Sequence, residues 1–317
     1  MLDKFKIGHF TDEKSGTGCT VILSEEGAFA GVSVRGAAPA TRETDLLRNE
    51  KSIQKLNAVV LSGGSAFGLE AACGVMDYLK EINVGFNAGK YHVPIIAAAS
   101  LYDLEYKDFA YPNKEAGYTA AKEAKKNNFL KGSIGAGTGA TVSKLGGIDA
   151  SPKSGIGIQT FTLNDLEIAV IVAVNALGDI VKDGEIILGA KSENEEYLDC
   201  QRVLSAGSFS LEGRNTTIGC ILTNANLTKL QANILADISH DGFALSISPA
   251  HTSFDGDAMF VMASGEKNVD INVLSSIIPS LTAKAIQSVA QIGDTHSTQK
   301  VNKIMFHFMQ KMFKQKK

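Results

Sequence analysis

Four short apolar runs constrain the fold of this chain more than any other feature: residues 58–61, 166–175, 217–223 and 259–263. Each has the length of a buried strand, and three of them lead into a segment of helical pattern, at 69–81, 227–247 and 273–291. Residues 158–161 form a further strand, turning into 166–175 through Asn164-Asp165. Residues 16–31 read as a hairpin reversing at Ser24-Glu25-Glu26-Gly27, residues 118–126 as another helix, and 181–190 as continued strand. Thr228 is an N-cap candidate, with Gln231 at the third helical position. Residues 192–214 are polar and aperiodic, a linker or exposed loop. Paired strands with long helices predict sheets covered by helices, an α/β or α+β design.

Length and charge narrow the classes. With 317 residues and 44% apolar content, the chain can build one large core or two small ones, at roughly 100–200 residues per domain. Its formal charge of −3 gives no basic balance with which to hold nucleic acid. Residues 1–8 lack the apolar stretch of a secretion signal, and no uninterrupted apolar run reaches membrane-spanning length. Four scattered cysteines form no C-x-x-C pair, so neither a zinc site nor a disulfide framework is expected. A reduced, cytoplasmic chain is the simplest expectation. Residues 296–317 carry six lysines and no acid, leaving the rest of the chain at −9. Val301, Met305, Phe308 and Met312 fall on one helical face, which predicts a basic amphipathic C-terminal tail.

Two glycine clusters invite a nucleotide reading. Gly135-Ala136-Gly137-Thr138-Gly139-Ala140 fits the dinucleotide fingerprint, but it lacks the preceding strand, the following helix and the later acidic residue. Ser62-Gly63-Gly64-Ser65 does join a strand to a helix. It can offer backbone N–H groups to an anion, or serve as a tight connection.

At Asn215-Thr216-Thr217 a polar loop runs directly into a buried-looking strand. Both threonines are ordinary β-branched strand openers. They also permit a sharper chemistry. Attack of the Thr216 hydroxyl on the Asn215 carbonyl gives an ester by N→O acyl shift, which frees an α-amine on Thr216, and hydrolysis of the ester then restores the hydroxyl. That amine titrates at about 7.7–8 and can act as base to its own hydroxyl.

The chain resembles the self-processing L-aminopeptidase/D-esterase (DmpA-like) family, which includes the 6-aminohexanoate-oligomer (nylon-oligomer) hydrolases. The resemblance runs from about Ile7 to Gly293. It is carried by Ile7-Gly8-His9-Phe10-Thr11-Asp12, Thr17-Gly18-Cys19-Thr20-Val21, Val34-Arg35-Gly36 with Thr41-Arg42-Glu43-Thr44-Asp45, and Leu61-Ser62-Gly63-Gly64-Ser65-Ala66-Phe67-Gly68-Leu69. Gly135 to Thr141, Ala173-Val174-Asn175-Ala176, Asn215-Thr216-Thr217 and His251-Thr252-Ser253-Phe254-Asp255-Gly256-Asp257 complete it. Ser33 stands where the family often has Asp, and the basic tail has no counterpart.

The resemblance implies a four-layer αββα sandwich of the DmpA and ornithine-acetyltransferase type. It implies one catalytic domain, residues 1–295, self-cleaved at Asn215–Thr216 into 1–215 and 216–317. The Asn-Thr junction is that of the threonine branch. By resemblance Thr216 is the nucleophile and Asp255 and Asp257 are the carboxylates beside it. Asn175 becomes an oxyanion donor, a role worth ~3 kcal/mol in a transition state. Lys144 matches a lysine near the nucleophile. Taken alone, Asp-Gly-Asp is a turn former, Asn175 a satisfied strand-end amide and Lys144 a solvated surface residue. His251 is expected to shape its loop, and Cys220 to be a small core residue.

The resulting expectation is a self-processed aminopeptidase or amidohydrolase. It would act on small peptides or amino-acid amides through an acyl-enzyme, with no metal and no cofactor, as a homo-oligomer of processed heterodimers. Two alternatives share the fold: an acyltransferase of the ornithine-acetyltransferase type, and a non-catalytic binding protein that stays uncut.

Overall fold

The computed structural model describes residues 2–207 and 215–293. The predicted basic tail, 296–317, lies outside them. β1 (Lys6–Asp12) pairs antiparallel with β2 (Thr17–Val34), Ile7 facing Ile22. The expected hairpin at Ser24–Gly27 is absent, because β2 runs unbroken for 18 residues. Its polar stretch is absorbed as an irregularity in the pairing with β4 (Lys55–Ser62), between Leu23 and Ala28. Gly27 takes φ +73°, so the extra residues bulge outward without reversing the chain. Glu25 and Glu26 pair with Lys6 and Lys4 on the outside.

β3 (Ala40–Arg42) falls between β2 and β4 in the chain. After β4 come α1 (Ala71–Glu81), the small hairpin β5 (Phe86–Ala88) and β6 (Tyr91–Val93), β7 (Ile96–Ser100) and α2 (Lys114–Lys122). α2 begins four residues before its predicted start, because the Asn113 side chain accepts from the Ala116 N–H and caps it. β8 (Ile156–Leu163) and β9 (Leu166–Asn175) form the predicted pair, followed by β10 (Asp179–Lys182) and β11 (Glu185–Leu188). Within the region read as linker, α3 (Cys200–Ala206) is capped by Asp199.

β12 (Thr216–Ala225), α4 (Lys229–Ala244), β13 (Ile247–Ser248), β14 (Ala258–Lys267) and α5 (Ile271–Gln287) complete the fold. α4 starts with the predicted capping box of Thr228 and Gln231.

Nine strands form one sheet in the order β3-β7-β4-β2-β14-β12-β9-β8, with β1 added on β2. The side chains show how the sheet doubles over. Leu56, Val59, Leu61, Ala97 and Ala99 from one half share a core with Ile171, Ala173, Ile218, Cys220, Phe260 and Met262 from the other. Alternate residues point away. Val60, Ala58 and Ile96 pack under α1 and α2, while Val170, Val172, Val261 and Met259 pack under α4 and α5. Four layers result: two helices, half a sheet, the other half, two helices. β2 belongs to both halves, since its start packs under α2 and its end under α4. Residues 271–292 are long and apolar enough to cross a membrane by composition, a feature absent from the sequence reading. In the structure Leu274, Ile278, Leu281 and Ile286 of this helix are buried in the sandwich core.

Candidate active site

Topology brings the site together. β12 and β14 are parallel, so their starts lie at the same end of the sheet. β9 runs antiparallel to β12 and ends there, with Thr216 directly opposite Asn175. Thr216, Asn175 and the loop before β14 are thereby neighbours, although 40 or so positions separate each in the chain.

The chain is continuous through Asn215 and Thr216, and both residues are buried. The Thr216 hydroxyl donates to the carbonyl oxygen of Asn215 at 2.5 Å. That oxygen also accepts the Gly256 N–H at 2.9 Å. A bridge between Asn215 and Asp255 fastens the junction to the Asp-Gly-Asp loop, and the Thr217 N–H donates to Asp257 Oδ1 at 2.7 Å. The Asp255 carboxyl accepts from the Thr252 N–H and hydroxyl at 2.8 and 2.6 Å. Burial, with the neighbouring Asp257 charge adding to it, pushes Asp255 up to about 6.

Lys144 reaches the same point from the glycine-rich segment. Its ammonium donates to Asn175 Oδ1 at 2.6 Å and to the Asn175 carbonyl at 3.3 Å. The backbone aims it there: Ser143 has a left-handed φ of 58°, and the Ser143 and Lys144 N–H groups donate to Gly178 and Leu177 carbonyls. Desolvation pushes Lys144 down to about 7, opposed by the charges of Asp255, Asp103 and Glu105. Asn175 Oδ1 also accepts the Thr141 N–H at 3.1 Å, while Nδ2 donates to the Tyr102 carbonyl at 2.8 Å. Apart from the Thr216 hydroxyl itself, the donor on the Asn215 carbonyl in the uncut chain is therefore Gly256, whereas the sequence reading looked only to Asn175.

All five residues expected from sequence, with Asn215, converge here. Several further groups were not foreseen. Asp103 is buried and accepts the Gly64 N–H at 2.6 Å and the Thr17 hydroxyl at 2.8 Å. The Ser62–Ser65 loop thus does offer a backbone donor to an anion, and the anion is the chain's own carboxylate. Burial pushes Asp103 up to about 6. Lys153 is buried with its ammonium on the carbonyls of Gly137, Ala140 and Ser154 at 2.8, 3.0 and 2.5 Å. It holds the second glycine cluster, which runs into short 3-10 turns rather than a dinucleotide-binding helix. Asp179 accepts from the Ser143 hydroxyl and the Cys200 N–H at 2.5 and 2.7 Å, tying α3 to the Lys144 turn. Single buried charges in loops or at a strand end carry no periodic signal, so these residues left no mark in the sequence pattern. Among the described residues no group of three metal-ligating side chains assembles.

Comparison with known proteins agrees with this architecture. The model of peptidase family S58 matches residues 3–306. The chain is 35% identical over 263 residues to an uncharacterized aminopeptidase of Mycobacterium leprae, covering 78% of this chain and 71% of that one. It is 30% identical over 268 residues to the 6-aminohexanoate-oligomer endohydrolase of Paenarthrobacter ureafaciens, covering 82% and 73%. Its fold matches the L-aminopeptidase D-Ala-esterase/amidase of Ochrobactrum anthropi, described as a variant of the Ntn hydrolase fold. The TM-score is 0.68 at 14% identity, over 92% of this chain and 84% of that one. The four-layer sandwich and the convergence at Asn215–Thr216 are thus found in a hydrolase that belongs to peptidase family S58.

Proposed function

We propose that the chain cuts itself between Asn215 and Thr216 and then works as an N-terminal-threonine amidohydrolase on small peptides or amino-acid amides. One observation carries the reading: the Thr216 hydroxyl already lies on the carbonyl group it would attack, and that carbonyl oxygen has a second donor in Gly256.

Self-cleavage begins as Thr216 Oγ1 bonds to the Asn215 carbonyl carbon and gives up its proton to a nearby base. Asp255, pushed up to about 6, is mostly ionised at neutral pH and suits that task. Negative charge gathers on the Asn215 oxygen, where the Gly256 N–H receives it. The C–N bond breaks as the Thr216 nitrogen takes a proton, leaving an ester. That break already frees the Thr216 α-amine; water then cleaves the ester, releasing the Asn215 carboxylate and restoring the Thr216 hydroxyl. In turnover that amine takes the hydroxyl proton, Oγ1 attacks a substrate amide, the amine product leaves, and water releases the acid. Lys144 and Asn175 flank the nucleophile; the ammonium stabilises its alkoxide, and the second Nδ2 hydrogen serves the substrate oxyanion.

An intact mass spectrum of the purified chain beside Thr216→Ala tests this. Fragments 1–215 and 216–317, absent from the variant, are expected. An uncut chain in both samples would sink the reading.

A further inference from the structure

The two carboxylates of the Asp-Gly-Asp loop do not share one environment. Asp257 accepts the Thr217 N–H on Oδ1 and faces His251 Nδ1 from Oδ2, both at 2.7 Å. Among the described residues Asp255 has no imidazole at hydrogen-bond distance; its donors are the Thr252 N–H and hydroxyl, with the Leu177 backbone N–H.

The position of His251 is set from several sides. Its backbone is left-handed, φ 54°, an uncommon conformation for a residue with a bulky ring. The ring stacks on Phe243 at 5.2 Å and 25°, and meets His240 edge-on at 4.8 Å and 67°. Both partners lie on α4, and His240 Nε2 is tied to the Ser33 carbonyl of β2 at 3.1 Å. The ring is thus held over Asp257 by α4, which is itself tied to β2 through His240.

The proton on this contact follows from its surroundings. An ionised carboxylate only accepts, so Nδ1 is the donor to Oδ2. Nε2, buried and without a partner among the described residues, is then a bare lone pair rather than an orphaned N–H, the less costly of the two.

We propose that His251 is a positioning residue for self-cleavage, a role that rests on the cut proposed at Asn215–Thr216: its Nδ1–H and the Thr217 N–H together hold Asp257 as an oriented anion, which leaves the moving proton to Asp255. The upward shift of Asp255 agrees, since the Asp257 charge contributes to it. The charged and titratable groups around the ring are few. Asp257 lies on Nδ1, and His240 approaches from α4, where Arg35 also acts on it. Arg35 is paired with Asp237 at 2.9 Å. Beyond Asp257 are Asp255 and then Lys144.

Two substitutions separate the donor from the ring. His251→Asn keeps a side-chain N–H at the position of Nδ1, tolerates the left-handed backbone and removes the stacking. His251→Phe keeps the stacking and removes the donor. Self-cleavage is followed by mass spectrometry from pH 5 to 9, below each variant's melting temperature. With the donor lost, the carboxylate pair of the loop is less well held in its anionic form. His251→Phe is expected to cut about tenfold more slowly at pH 7, with the acid limb of its profile moved up by about one pH unit. His251→Asn is expected to stay within about threefold of the parent, with the parent's profile. The reverse pattern, or a parent-like profile in His251→Phe, overturns the inference while the cut itself stands. If His251→Phe does not fold, His251→Asn decides alone: a parent-like profile supports the donor role, and a tenfold loss overturns it. A parent chain that never cuts removes the proposed function, and this inference with it.

Discussion

Gly256 is closely packed against the nucleophile. A Cβ built on it would lie 2.7 Å from Thr216 Oγ1 and 2.6 Å from the Ala38 carbonyl oxygen. The loop can therefore hand its N–H to the Asn215 oxygen only because position 256 has no side chain. Gly256→Ala is expected to fold and to slow self-cleavage by about 100-fold, since a shift of the order of 1 Å in a reacting group costs about that much. The appearance of fragment 216–317 over time measures it, and parent-like kinetics would show that the close approach has no part in the cut. At this scale the sequence was readable where residues form contiguous strings. Thr216, Asp255 and Asp257 sit in short segments whose order is itself a signal. Asp103 and Lys153 sit beside unremarkable neighbours, and their burial follows only from how distant loops meet.

The strands decide what a cut would leave behind. β12 would belong to the smaller fragment, yet it is hydrogen-bonded on one side to β9 of the larger fragment, in register from Thr216–Asn175 to Thr223–Ile168. β14, also in the smaller fragment, pairs with β2 of the larger one from Ala258–Val34 to Ala263–Phe29. The shared core between the sheet halves adds buried apolar surface. The two fragments should therefore co-elute in size-exclusion chromatography and separate only in denaturant; free fragment 216–317 in native buffer would contradict the pairing. Element boundaries were legible where apolar periodicity or a cap marked them, as at Thr228. They failed at Ser24–Gly27, where turn-forming residues were outweighed by continued pairing on both sides of β2.

For the whole molecule, buried titrating groups set a pH response. Lys144 and Lys153 are held at about 7 by desolvation, against ordinary values of 10.5. From pH 7 upward the unfolded chain binds more protons at these two sites than the folded one, so stability rises with pH. Above about pH 9 the buried thiols act oppositely, since Cys19 is pushed up to about 12 and Cys200 and Cys220 are also raised. Below pH 7 two sets oppose one another. Asp103, Asp179 and Asp255, raised to about 6, lose stability as pH climbs from about 4 to 6. His9 and His240, lowered to about 4 by burial, gain it over the same span. The melting temperature of Thr216→Ala, which stays in one piece, is expected to be nearly flat from pH 4.5 to 6.5 and to climb between pH 7 and 8.5. A fall over that last interval would mean the lysines are not desolvated as described. Such a balance was invisible in the charge total of −3, which counts groups without their surroundings.

The pairing of Thr216 with Asn175 at the first rung of a central strand has one more consequence. A chain end is ordinarily the loosest part of a protein, and ordering it costs conformational entropy each time it must hold still. A terminus released at Thr216 would be born already immobile, because its neighbours were fixed while it was still mid-chain. Its chemistry would also be conditional on assembly. The hydroxyl, the Gly256 amide and the lysine come from three distant stretches that meet only when β9, β12 and β14 have zipped together. A misfolded copy would keep its peptide bond and never acquire the amine, so the scission would double as a record that the molecule had reached its native state.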